Sequence, residues 1–318
     1  MSERGSAVAR RGGHIEIASG EQRVGVVTLG GGLRCYEVAG RELLDRFPPG
    51  ERPARGRGQV LVPWPNRLEN GSYEFDGKRL QLPLSEPENG NAIHGLVRGA
   101  TWAVGQLADD RVALDYLLEP QRGYPFSLAL SIEYALSDAG LAVTTTARNI
   151  GADVCPYGSG QHPYLTLGTP TVDTLQLRVP GRVVGFSDER GLPVSSAPVD
   201  GTEYDFRAGR SIGDTVLDNA YTDLERGADG RARVLLDDPD GDSGLTLWVD
   251  GSYGYLMVFT GDPYPDLARR SIAVEPMTCP PNAFRSGDSL IRLEPGESIA
   301  STWGIEPRLA GMRGIDAQ

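Results

Sequence analysis

Apolar and polar positions alternate with a period of two along most of the chain, the pattern of strands that bury one face. Residues 23–28 and 33–38 flank Gly30-Gly31-Gly32 and read as a hairpin. Residues 72–82 are clearer: Tyr73 and Phe75 alternate before Asp76-Gly77, with Leu80 and Leu82 after it. Asp-Gly suits the positive φ angles of a type I′ turn. The signal recurs at 127–136 with 141–147, across Asp138-Ala139-Gly140, and at 231–236 with 245–249, across the turn-rich 237–244. Residues 253–259 and 291–293 are further short strand candidates. No stretch shows a capped helix of three or more turns with an apolar stripe. Many short strands with turns between them predict an all-β fold, an antiparallel sandwich or barrel. With no linker or fixed-period repeat, residues 13–308 are expected to form one domain. Residues 1–12 and 309–318 are expected to be loose tails, and His14 is assigned to the N-terminal one.

Composition sharpens this picture in a few places. The 42 Gly and 23 Pro among 318 residues lie between apolar runs, which indicates turns rather than disorder. A net charge of -12 argues against nucleic acid, whose phosphates need clustered cations, and against an anionic membrane surface. It leaves room for a local arginine in a pocket. Cys35, Cys155 and Cys279 are too few and too dispersed for a disulfide framework or a metal-binding pair. Arg10-Arg11 is followed by no apolar stretch, so no signal peptide is expected, and no run is long enough to span a bilayer. A cytoplasmic location is expected.

Candidate chemistry is concentrated in four unusual segments. With His14 set aside, the only imidazoles are His94, in NGNAIHGL (89–96), and His162, in GSGQHPY (158–164). The other segments are LVPWPNRL (61–68) and IAVEPMTCPPNAF (272–284). His162 and Glu275 each precede a proline, which confines the preceding backbone to extended geometry. A backbone so held suits a catalytic side chain, although such prolines also simply end strands. Glu275 follows the apolar Ile272-Ala273-Val274, so a desolvated carboxylate of raised basicity is expected. The alternative for Glu275 is an ion-paired carboxylate with Arg67 or Arg285 as partner.

Taken together and in this order, the segments resemble the aldose 1-epimerase (galactose mutarotase) family, over Pro63 to Phe284. The resemblance implies a large antiparallel β-supersandwich with a groove for a monosaccharide, and it implies roles. Glu275 would be the general base at the C1 hydroxyl and His162 the general acid at ring oxygen O5. His94 would sit beside the same oxygens; Arg67 and Asn66 would meet sugar hydroxyls, and Asp218 would accept from them, with Asp214 as its rival. Trp64, Tyr164, Trp102 and Phe284 could each offer a ring to the sugar's C–H face, or pack in the core. Neither metal nor organic cofactor is implied, and monomer and homodimer are both open.

Leu165 departs from the aromatic residue that many family members carry. The form around Trp64, with PLSEP at 83–87, looks closer to a bacterial branch that includes sulfoquinovose mutarotase-like proteins. Neither glucose nor galactose is therefore implied as substrate. Mutarotation removes a proton from O1 and delivers one to O5, both bonded to C1. The two groups should then lie about 5–8 Å apart, and protonated histidine with ionised glutamate is accessible near neutrality. Three other readings stand beside this one: a metal hydrolase built on His94, His162 and Glu275; a sugar-binding protein without catalysis; and a mutarotase for sulfosugars or hexose phosphates. The last requires an anion site, with Arg98, Arg122 or Arg285 as candidates.

Overall fold

The computed structural model describes residues 10–309 apart from 12 and 242. The expected tails therefore fall largely outside the described residues. At their edges, Arg10–Arg11 and Leu309 lie in strands. His14 is not in a tail: it begins the strand His14–Ser19, pairs with Val27, and accepts Arg34 Nε at Nδ1 across 3.3 Å. The arginine came from the next strand but one, Leu33–Val38, and so was invisible in the local pattern.

Antiparallel sheets make up nearly all of the regular secondary structure among the described residues. Alternation places Leu128, Leu130, Ile132, Tyr134 and Leu136 of Leu128–Ser137 on one buried face. That strand pairs with Gly140–Asn149 in the centre of a nine-stranded sheet. Ser298–Leu309 and Ser243–Val249 extend the sheet, and Trp303 and Leu247 add to the same core. A five-stranded sheet contains the predicted hairpin, as Gln22–Val27 and Leu33–Val38. The Asp76-Gly77 turn has both φ angles positive, at 48° and 72°, and joins Ser72–Phe75 to Lys78–Gln81. The single described α-helix, Ala283–Ser286, is one turn long. Among the described residues no helix is long and apolar enough to cross a membrane.

An eight-stranded sheet carries the site. Its neighbouring strands include Gly181–Ser187, Asp218–Leu224, Tyr255–Phe259 and Ile272–Met277, with Gly160–Gln161 and Tyr164–Leu165 both pairing with the last. A two-stranded ribbon, Arg67–Glu69 with Asn91–Ile93, supplies the residues on the other side.

Candidate functional site

The facing of His162 and Glu275 follows from strand register. Gly160 pairs with Met277 and Tyr164 with Ala273, so the two residues midway between these pairs stand opposite each other. His162 Nε2 lies 3.2 Å from Glu275 Oε1, with both side chains almost wholly buried. The prolines that follow them leave the extended backbone intact, and Val274 N–H donates to the carbonyl of Pro163. Tyr164 stacks on His162 at 4.8 Å with 8° between the rings, and its hydroxyl donates to the Arg55 carbonyl.

His94 arrives from the ribbon. It and Asn66 both adopt left-handed backbone, at φ 59° and 53°, and are cross-linked. His94 N–H donates to the Asn66 carbonyl, and Asn66 N–H donates to His94 Nδ1 at 3.2 Å. An Nδ1 that accepts must leave the ring proton on Nε2 in the neutral imidazole. His94 therefore presents an N–H donor, at a ring centroid distance of 5.4 Å from His162. Ligand atoms of His94, His162 and Glu275 lie within 4.8 Å of one another. The bond at Nδ1 takes one nitrogen of His94 from any metal, and the proton on Nε2 occupies the other.

These three groups line a cavity of about 300 Å³ together with Asn66, Arg67, Tyr164 and Asp218. Asp218 is on the strand beside Tyr255–Phe259, opposite Phe259; Asp214 is not among the lining residues. Three of the four candidate rings are elsewhere. Phe284 packs on Trp64, at 5.4 Å, and on Tyr73; Trp102 packs on Tyr116. Trp64 is not among the residues lining this cavity, contrary to the expectation; it stacks on Phe284 in the core and borders a second compartment. Sequence reasoning missed Gln59, Gly56, Arg55 and Tyr264, which come from loops at the cavity wall.

The alternative reading of Glu275, an ion pair with Arg67 or Arg285, is not what the fold makes. Arg67 forks onto Glu86, with Nε to Oε2 at 2.8 Å, and Arg285 reaches Glu69 at 3.0 Å. Arg122 is exposed and away from the cavity, whereas half-buried Arg98 lines it. Among the described residues the Arg98 guanidinium has no hydrogen-bond or ion-pair partner. A second compartment of about 360 Å³ shares Pro53, Gln59, Ser85 and Arg98 with the first. It is lined by Arg52 and Arg98 and by no carboxylate.

Burial governs the electrostatics. Loss of water raises the Glu275 carboxyl well above its ordinary range, with the Asp218 charge adding to this and Arg67 opposing it. Loss of water lowers His162 to about 3, with Arg98 and Arg57 contributing. His94 is pushed well down by burial, then by His162, Arg98 and Arg67. Asp218, although solvent-exposed, is raised by partial loss of water against the pull of Arg67. One expectation is thereby corrected: the pair is in direct contact rather than about 5–8 Å apart. Low dielectric disfavours the imidazolium–carboxylate form, and the directions of both shifts favour neutral partners.

The sequence profile of the aldose 1-epimerase family matches residues 13–306. The chain belongs to that family. This epimerase, an isomerase, is 35% identical over 284 residues to the uncharacterized protein YihR of Escherichia coli strain K12, covering 89% of each chain. It is 27% identical over 222 residues to galactose mutarotase of Sus scrofa, covering 63% of this epimerase and 61% of that protein. Its fold matches the galactose 1-epimerase structure from Lactobacillus acidophilus at a TM-score of 0.77 and 21% identity, covering 92% and 94% of the two chains. The C. elegans aldose epimerase homologue matches at a TM-score of 0.81 and 19% identity, covering 92% and 98%.

Proposed function

We propose that this epimerase interconverts the anomers of a monosaccharide by acid–base opening and closing of the hemiacetal ring, with Glu275 and His162 as the proton-transfer pair. The observation that carries the reading is the 3.2 Å contact between His162 Nε2 and Glu275 Oε1 at the wall of a polar cavity. The pair holds one mobile proton, as carboxylic acid beside imidazole or as carboxylate beside imidazolium. The second form is the one that works: Glu275 takes the O1 proton while His162 gives one to O5. The C1–O5 bond breaks, the aldehyde rotates about C1–C2, and closure reverses both transfers. A sugar wedged between the pair replaces their direct contact with hydroxyls, and the Arg67 charge favours the carboxylate. His94 Nε2–H donates to the same oxygens. Arg67, Asn66 and Asp218 bind ring hydroxyls, and Tyr164 holds the His162 ring in plane. General acid–base catalysis of this type contributes about 10²–10⁴-fold.

The test is exchange NMR on D-galactose, D-glucose, D-glucuronate, glucose 6-phosphate and sulfoquinovose. Catalysed anomer exchange of at least one supports the reading; spontaneous rates for all of them contradict it. A second reading concerns the substrate. The unpartnered Arg98 and the carboxylate-free compartment beside it favour a sugar with an anionic substituent over a neutral one. The last three sugars of the panel decide between the two.

A further inference from the structure

Arg67 is a long, flexible side chain, and an unrestrained arginine must lose rotamer freedom each time it binds a hydroxyl. In this fold it is restrained in advance from two directions. Glu86 grips the fork from one edge: Arg67 Nε donates to Oε2 at 2.8 Å and Nη2 donates to Oε1 at 3.0 Å. Glu86 is itself fixed. Asn91 Nδ2 donates to its Oε2 at 3.0 Å, and the backbones of Glu86 and Asn91 exchange both hydrogen bonds. That use of both carboxylate oxygens leaves Arg67 Nη1 without an acceptor among the described residues, on a side chain that lines the cavity.

The second restraint comes from far along the chain. The turn between Gly181–Ser187 and Pro193–Pro198 is tied by Asp188, whose Oδ1 accepts from the N–H groups of Arg190 and Leu192. Arg190 then anchors this turn to the ribbon loop, donating from Nε to the Asn89 carbonyl at 2.8 Å. Its own carbonyl accepts from Asn91 Nδ2 at 2.9 Å. Gly191 is thereby laid against the guanidinium. A Cβ there would stand 2.4 Å from Nη1 and 2.6 Å from Cζ, and its φ of 73° is one that glycine adopts freely.

We infer that Glu86 and Gly191 are positioning residues for Arg67: Glu86 clamps one edge of the fork, and the missing side chain at Gly191 leaves room for the guanidinium, so that Nη1 is free for a sugar hydroxyl. The inference rests on the proposal that Arg67 binds the sugar, and one experiment separates the two. KM and kcat are measured with D-galactose, D-glucose and D-glucuronate for Arg67→Ala, Glu86→Gln and Gly191→Ala, and for each of the last two combined with Arg67→Ala. Glu86→Gln and Gly191→Ala should each raise KM about tenfold with kcat within about threefold, the signature of binding lost equally from ground and transition states. Once Arg67 is alanine, neither should raise KM further. Unchanged KM in both single variants, or full multiplication of the effects in the double variants, overturns the positioning role. An Arg67→Ala enzyme with wild-type KM removes instead the sugar-binding role of Arg67. Glu86→Gln leaves the backbone unstrained, so it decides the matter even where Gly191→Ala fails to fold.

Discussion

Replacing Glu275 by glutamine should remove a pH dependence of stability that belongs to this one carboxyl. Burial lifts the folded-state pKa of Glu275 well above 4.5. Between 4.5 and the raised value, the folded chain keeps a proton that the unfolded chain has released. The stability Glu275 contributes is therefore complete below 4.5 and is lost as pH rises, at about 1.4 kcal/mol per pH unit for one proton. His162 has the opposite sign: with a folded value of about 3 against 6.5 unfolded, its contribution is complete above 6.5 and lost as pH falls. Above 4.5, while the folded chain keeps its proton on Glu275 and the unfolded chain keeps one on histidine, the two slopes oppose each other in the wild-type chain. Glutamine cannot titrate, so the stability of wild type minus that of Glu275→Gln isolates the carboxyl. That difference should fall as pH rises above 5, at up to about 1.4 kcal/mol per pH unit for as long as the folded carboxyl keeps its proton. Urea titrations followed by tryptophan fluorescence, extrapolated to water at each pH, measure it. A difference that stays level over this range would refute the claim that Glu275 is desolvated in the folded protein.

Three other outcomes are expected. Glu275→Gln and His162→Gln should each lower catalysed anomerisation about 10²–10⁴-fold by polarimetry, and a variant keeping a tenth of wild-type activity would contradict its assigned role. Gly56→Ala adds a Cβ 2.6 Å from His162 Cδ2 at a φ of 77°. Tilting the imidazole in this way should cost about 10²-fold in kcat, and a wild-type kcat would show that the ring tolerates the shift. Arg98→Met removes a half-buried cation that depresses both imidazoles, so NMR titration should find His94 and His162 moved upward; unmoved titrations would mean that burial alone sets them.

Local pattern was enough for the strands, because period two and turn chemistry act over neighbouring residues. Alternation at 128–136 and the Asp76-Gly77 turn required nothing distant. The four proline- and glycine-rich segments also stood out alone, since each departs from an alternating background, and they carried His94, His162, Glu275, Asn66 and Arg67 to one cavity. What sequence could not supply is partner choice across long loops. Which arginine meets which carboxylate, Arg67 with Glu86 and Arg285 with Glu69 rather than either with Glu275, depends on strand order. The same holds for Trp64, whose neighbours in the chain look like a site while in space it packs on Phe284 and borders only the second compartment. Basicity is set only in three dimensions: an ordinary pKa describes a group in water, and burial raises the Glu275 carboxyl while it lowers the His162 imidazole.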